Sequence, residues 1–144
     1  MQLRQMAGVL YVLTALVSGY WEFNLLMRPL IGGPSSLWYP ITLGTSVVLL
    51  IAGLLVVVSR TKSSRLVALV ATLVLAVWWI PASMHTVDLY FSSRPPAPDS
   101  GGLVWTLVPG ILVVISLIIG VASWKFLAAT NGLDRPAGHI PSAR

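Results

Sequence analysis

The acids and histidines are the few side chains of this sequence whose types and spacing suit chemistry. Four acids and two histidines occur in 144 residues, and cysteine is absent. His85 and Asp88 stand three residues apart, a spacing that places two side chains on one face of a helix. Such a pair can bind a metal ion or relay protons. Glu22 interrupts an apolar stretch, where an ionised carboxylate is costly and marks a functional candidate.

These residues do not complete a recognised metal, cofactor or catalytic set. His85, Asp88 and Glu22 would supply one nitrogen and two oxygens, which is a weak set of zinc ligands. Their spacing matches no zinc signature. His139 lies in the polar C-terminal stretch, so haem held by two membrane histidines of one chain is excluded. Serines abound, but no nucleophile, base and acid form a recognisable set. We therefore expect no metal, no cofactor and no enzymatic activity.

A polar and aromatic site is expected near one end of the first and third apolar segments. Arg28, one and a half helical turns after Glu22, and His85 are the expected partners of the Glu22 carboxyl. The candidate site consists of Glu22, Arg28, His85, Asp88, Trp21 and Trp78. Two structural interpretations stay open: an interfacial acid that reaches water or Arg28, and a hydrogen-bonded His85–Asp88 pair at a helix end.

Four apolar stretches must position these residues, and they span 6–27, 38–58, 66–90 and 104–127. Each is long enough to cross a bilayer, which takes roughly 20 helical residues. The chain is 56 % hydrophobic and 9 % charged, far below the roughly 25 % charged residues of a soluble domain. We predict an all-α fold, a four-helix transmembrane bundle in residues 1–128. A flexible cytoplasmic tail is expected from 129 to 144, with Asn131-Gly132 capping the fourth helix.

The positive charges are distributed unevenly between the two sides of this four-span arrangement. Seven of the nine basic residues fall on one side: Arg4, Arg60, Lys62, Arg65, Lys125, Arg135 and Arg144. Arg28 and Arg94 fall on the other. The positive-inside rule then predicts that both termini and the loop 59–65 are cytoplasmic, in the cytoplasmic membrane if the source is bacterial. The net charge of +5 forms no patch with interleaved aromatics, so no nucleic-acid partner is expected.

Most aromatic rings are predicted at the external ends of the helices. Ten of them share this placement: Tyr20, Trp21, Phe23, Trp38, Tyr39, Trp78, Trp79, Tyr90, Phe91 and Trp105. An interfacial belt explains such rings, since they settle at headgroup depth. The alternative is an aromatic-walled external pocket for a lipid, a quinone or an organic cation.

Each predicted helix carries a stripe of small or weakly polar residues, whose members include Glu22 on the first helix, Ser46 on the second, and Ala68 and Thr72 on the third. The packing positions that we select are Ser18, Gly53, Ser116 and Gly120. Small residues let helix backbones approach closely in lipid, where burial of apolar surface gives little drive to associate. The stripes should therefore face one another, whereas Leu117 is expected to meet lipid or a partner.

The two halves of the chain look alike. Glu22 stands six residues before Arg28-Pro29, and Asp88 stands six residues before Arg94-Pro95. A Gly-Gly pair and a tryptophan follow in both halves. This pattern suggests a duplicated helical hairpin, although any two external hairpins can collect such residues.

Tyr20-Trp21-Glu22 resembles one element of the small multidrug-resistance transporters, compact four-span proteins with an essential glutamate in the first helix. The resemblance covers that element alone. The glutamate of that family is central in its helix, whereas Glu22 lies near a helix end, so membership is not inferred.

The leading functional interpretation is a non-enzymatic accessory or structural subunit that packs against other integral membrane subunits and lipids. The alternative is a small transporter or binder of a hydrophobic cation, a lipid or a quinone that uses Glu22, His85 and the aromatic rings. The direction of the small-residue stripes separates the two. Stripes around an interior polar site favour transport or binding, and stripes that point partly outward favour docking.

Overall fold

A computed structural model describes residues 3–27, 38–59, 61–92 and 100–133. These ranges contain four α-helices: α1 Leu3–Met27, α2 Trp38–Val58, α3 Lys62–Ser92 and α4 Ser100–Leu133. All four are long and apolar enough to cross a membrane. The predicted all-α fold with four membrane-spanning helices is thereby confirmed. Which end of the bundle faces the cytoplasm stays a prediction.

Three of the four helices are longer than their apolar stretches. The predicted span 38–58 matches α2, but α1, α3 and α4 extend beyond 6–27, 66–90 and 104–127. The expected loop 59–65 is correspondingly shorter, because α3 already begins at Lys62. Gly101 and Gly102 lie inside α4 and not in a loop. Asn131-Gly132 also lie inside α4 rather than capping it, and residues 134–144 of the expected tail are outside the described residues.

The early start of α3 follows from the residue that precedes it. Thr61, a type favoured at helix N-caps, shares a hydroxyl–hydroxyl hydrogen bond with Ser64 (2.9 Å). The Ser64 hydroxyl also donates to the carbonyl oxygen of Thr61 (3.0 Å). These local bonds fix the first turn of α3 in a segment too polar for a hydropathy pattern to include.

The helices form a ring in which α1 and α3 each pack against α2 and α4. Neighbouring helices in the ring run antiparallel, as the order of the contacts between α1 and α2 shows. A Cβ added to Gly53 of α2 would lie 3.0 Å from Cβ of Tyr11 on α1. Ser46, earlier on α2, contacts Glu22, which is later on α1. Helices α1 and α3 lie across the bundle axis from each other. We call the end where α1 and α3 finish the Glu22 end, and the opposite end the Arg65 end.

Small and hydroxyl-bearing residues fill the bundle interior, and large aliphatic residues cover its outside. Thr14, Ser18, Thr42, Thr72 and Ser116 are all fully buried. Ile51, Leu73 and Ile118 are more than half exposed. This is the distribution expected for helices that meet lipid outside and pack through small residues inside.

Two glycines bring α1 and α2 into backbone contact. A Cβ on Gly8 would lie 2.6 Å from Cγ2 and 3.1 Å from the backbone nitrogen of Val57. A Cβ on Gly53 would lie 3.1 Å from the backbone nitrogen of Val12. Gly53 belonged to the predicted packing stripe, whereas Gly8 was not singled out from the sequence.

Gly120 makes room for the Tyr11 hydroxyl across the α1–α4 contact. A Cβ at that position would collide with the hydroxyl oxygen and approach Cδ1 of Leu69 to 3.0 Å. Leu117, expected to meet lipid or a partner, is half-buried and also packs against the core. The neighbouring Ile118 is the side chain that faces outward, 63 % exposed.

Candidate functional site

Glu22 lies inside the bundle and not at its surface. Its side chain is 0 % exposed. The Ser46 hydroxyl of α2 donates a hydrogen bond of 2.9 Å to Glu22 Oε2. The carboxyl thus belongs to the interior packing of α1 against α2, where water does not reach it directly.

Two further polar side chains face the carboxyl. Thr42 on α2 and Trp79 on α3 both lie close to it. The Thr42 hydroxyl donates to the carbonyl oxygen of Trp38 (2.7 Å), so it presents lone pairs to Glu22. Trp79 is 1 % exposed and reaches across the bundle axis from α3. The site is therefore assembled from three helices.

The polar atoms of the site are incompletely paired. Among the described residues, Glu22 Oε1, Ser18 Oγ and Trp79 Nε1 find no hydrogen-bond partner, and all three atoms are buried. Ser18 lies one turn before Glu22 on the same face of α1. A buried polar atom without a partner costs about 1–3 kcal/mol, and three in one place call for an explanation. A carboxyl oxygen, a hydroxyl and an indole N–H could together hold a small polar group.

Between this site and the Arg65 end of the bundle, a second interior polar contact joins α1 to α4. The hydroxyls of Thr14 and Ser116 form a buried hydrogen bond of 2.7 Å. Tyr11, Thr14 and Ser18 precede Glu22 on α1, so one buried face of this helix carries polar groups along much of its length. The predicted stripe of α1 thus points inward. Ser18, Gly53, Ser116 and Gly120 are likewise all buried.

The expected cluster of Glu22 with His85 and Asp88 is not assembled. His85 and Asp88 are exposed on α3. Asp88 accepts a long hydrogen bond of 3.4 Å from the Ser92 hydroxyl on its own helix. Within the described ranges, no hydrogen bond or ion pair links either residue to Glu22. Arg28 falls outside those ranges.

The two tryptophans of the predicted site occupy different surroundings. Trp78 packs beside the N-terminus of α2, where it stacks on Trp38 with ring centroids 6.1 Å apart and meets Tyr39 edge-on at 5.9 Å. Trp21 lines an apolar cleft of about 260 Å³ on the α1–α4 seam. The other residues lining this cleft are Leu16, Val17, Tyr20 and Pro109.

Trp79 is the site residue that sequence reasoning misplaced. It was grouped with the interfacial rings, but it is a core side chain beside Glu22. A signal existed: Ala68, Thr72, Leu75 and Trp79 recur at helical spacing and all are buried. The stripe begun at Ala68 and Thr72 therefore continues into the site.

In the part of the chain that the structure describes, no three His, Cys, Asp or Glu residues are grouped to hold a metal ion. No family model matches the chain, and no curated protein or solved structure matches it either. Four membrane-length helices packed around a buried polar interior define the class, an integral multi-pass membrane protein.

Proposed function

We propose that this protein is a small membrane transporter or binder of a hydrophobic cation, with Glu22 as the counter-charge. The observation that carries the proposal is a fully buried carboxyl at the bundle axis that has one oxygen without a partner. Among the described residues, no basic side chain pairs with it. An acid at membrane depth without a counter-ion is a functional candidate by default.

The chemistry follows from the partners of the carboxyl. An ionised carboxylate in this interior is costly unless a cation compensates it. Thr42 donates its own proton to a backbone carbonyl, so its lone pairs can accept a hydrogen bond from a protonated Glu22. The Ser46 hydroxyl donates to the carboxyl, and the nearby Trp79 indole N–H is available as a second donor once the carboxylate forms. Arrival of a cation would displace the Glu22 proton to solvent and form an ion pair that these two donors stabilise.

The surroundings of the carboxyl suit an apolar ligand with one positive charge. The cleft on the α1–α4 seam lies at the level of Glu22 and presents the rings of Tyr20 and Trp21. Aromatic faces attract cations, and the apolar lining accepts hydrocarbon. In this proposal the cleft serves as the lateral approach from the lipid to the Glu22 site.

An accessory or structural subunit of a larger membrane complex is the second candidate. One observation favours it: Gly44 and Thr45 face a wide groove between α2 and α3, about 600 Å³ in volume. A Cβ added to Gly44 would meet nothing within 4 Å. Part of the small-residue pattern of α2 therefore points outward, as a docked helix requires. The small-residue stripes of α1 and α4 point predominantly inward, which favours the cation transporter or binder over the accessory subunit.

The test is binding of tetraphenylphosphonium, a hydrophobic cation, to the purified chain in lipid nanodiscs by titration calorimetry. The wild type should bind, and Glu22→Gln should weaken binding by at least about tenfold, since a buried counter-charge is removed. Asp88→Asn is the matched control and should bind as the wild type does. Equal binding by both variants, or none by the wild type, would reject the proposal.

Purification in mild detergent, with mass spectrometry of co-eluting proteins, tests the second candidate. A stoichiometric membrane partner would favour the subunit. A chain that runs alone would count against it.

A further inference from the structure

Two arginines approach each other at the Arg65 end of the bundle. Arg4 is the second residue of α1, and Arg65 lies in the first turn of α3. Arg65 is only 9 % exposed, although it carries a full charge. The two guanidinium groups are near enough for their charges to repel each other. Long basic side chains at a helix end normally extend into water, so a buried Arg65 beside the half-buried Arg4 requires a cause.

Among the described residues, neither arginine finds a partner for its Nε atom. Nε of Arg4 and Nε of Arg65 are both buried without a hydrogen-bond partner. Arg4 donates from Nη1 to the carbonyl oxygen of Ser59 over a long 3.4 Å. The acids of the described ranges, Glu22 and Asp88, are engaged at the opposite end. Within those ranges, the two positive charges face no negative group.

Hydroxyl groups line the same end of the bundle. The Ser59 and Thr61 hydroxyls share a hydrogen bond of 3.1 Å, and Thr61 bonds to Ser64 at 2.9 Å. Arg4 contacts this connection between α2 and α3 through its hydrogen bond to the carbonyl oxygen of Ser59. The N-terminus of α3 follows directly, and a helix N-terminus favours a negative group. Two guanidinium groups, several hydroxyls and the N-terminus of α3 thus lie at one end of the bundle, where the described residues supply no acid.

We propose that Arg4 and Arg65 bind the phosphate group of an anionic molecule at this end of the bundle. Guanidinium groups match phosphate oxygens in charge and in geometry, and two of them neutralise a group that carries one or two negative charges. The site lies near the helix ends, where lipid phosphates are found. The phosphate belongs either to an anionic lipid headgroup or to a free phosphate ion. The Glu22 site plays no part in this inference.

The test measures how ligands shift the melting temperature of the purified full chain in a neutral detergent. The probes are phosphatidylglycerol, phosphatidylcholine and inorganic phosphate. Removal of one charge-assisted contact should weaken binding of the effective probe by at least about tenfold in Arg65→Gln and in Arg4→Gln. Lys125→Gln removes an exposed positive charge of α4 that does not belong to the arginine pair, and it should bind as the wild type does.

The probes distinguish the two sources. Stabilisation by phosphatidylglycerol alone, lost in the arginine variants, supports a lipid headgroup. Stabilisation by inorganic phosphate with the same pattern of variants supports a free ion. If neither phosphatidylglycerol nor inorganic phosphate binds, or if Lys125→Gln loses as much affinity as Arg65→Gln, the proposal is overturned. Should Arg65→Gln fail to fold, Arg4→Gln decides, and unchanged affinity in that variant overturns the proposal.

Discussion

Glu22 and Asp88 occupy equivalent places in the two halves of the sequence and opposite places in the structure. Each stands six residues before an Arg-Pro pair. Glu22 is fully buried and accepts a hydrogen bond from another helix. Asp88 is exposed, and its described hydrogen bond is to Ser92 on its own helix. The repeated motif therefore places both acids at the same end of the bundle without giving them the same environment.

The helical face decides the role of each acid. Asp88 follows the buried Trp79 by nine residues, about two and a half turns, which points it to the opposite side of α3. Glu22 follows the buried Ser18 by four residues and stays on the inward face of α1. An acid in a membrane helix becomes a candidate site only when its face meets the bundle axis.

The largest effect that we predict distinguishes the end of the bundle that carries the two acids from the Arg65 end. The positive-inside rule predicts that the Arg65 end is cytoplasmic and that the acids lie near the external side. In this cysteine-free chain, Gly33→Cys and Ala97→Cys should react with a membrane-impermeant thiol reagent added to intact cells, whereas Lys62→Cys should not. Labelling of position 62 from outside would reverse the orientation.

Inward and outward residues should also differ strongly in their effect on stability. Gly120→Leu forces a side chain against the Tyr11 hydroxyl and Leu69 and should cost about 1–3 kcal/mol. Ile118→Ala, on the outward face, should change the free energy of unfolding much less. Thermal unfolding in detergent measures both variants. Equal losses would show that the faces of α4 are misassigned.

A smaller effect is expected from hydrogen bonds that cross between helices. Thr14→Val removes the hydroxyl that pairs with Ser116 on α4 and should cost about 0.6 kcal/mol. Thr45→Val, whose hydroxyl bonds to Ile41 on its own helix, should cost less. The order of the two unfolding temperatures checks the prediction, and a larger loss for Thr45→Val would contradict it.

The smallest effect should come from the outward polar pair. Both His85 and Asp88 are exposed. His85→Ala and Asp88→Asn should therefore leave stability and cation binding unchanged within about 0.5 kcal/mol. Loss of binding in either variant, measured by the same calorimetric titration, would restore the cluster that the sequence suggested.

The number and type of the elements could be predicted from the sequence, but their ends could not. Apolar runs identify four spans because helices in lipid satisfy their own backbone groups. Hydropathy falls at Lys62-Ser63-Ser64, yet α3 begins there because Thr61 and Ser64 bond locally. Helix α4 begins at Ser100-Gly101-Gly102 despite the glycines, which the composition of the segment argued against.

The site was predicted in part. Periodicity placed Glu22 on the small-residue stripe of α1 and Ser46 on that of α2, and these residues meet. The rotation of α3 about its axis was not settled by hydropathy, because apolar residues surround this helix on all sides before Trp79. The spacing of His85 and Asp88 therefore suggests a site on a face of α3 that points outward, whereas the inward face ends in Trp79.

The central claim is that Glu22 gives up a proton when a cation binds. Infrared difference spectroscopy of the protein in nanodiscs, recorded on addition of tetraphenylphosphonium, observes the carboxylic C=O stretch directly. We predict that this band is lost in the wild type and in Asp88→Asn, and that Glu22→Gln shows no such change. A wild type with no change, or a Glu22→Gln variant with the same loss, would contradict the account.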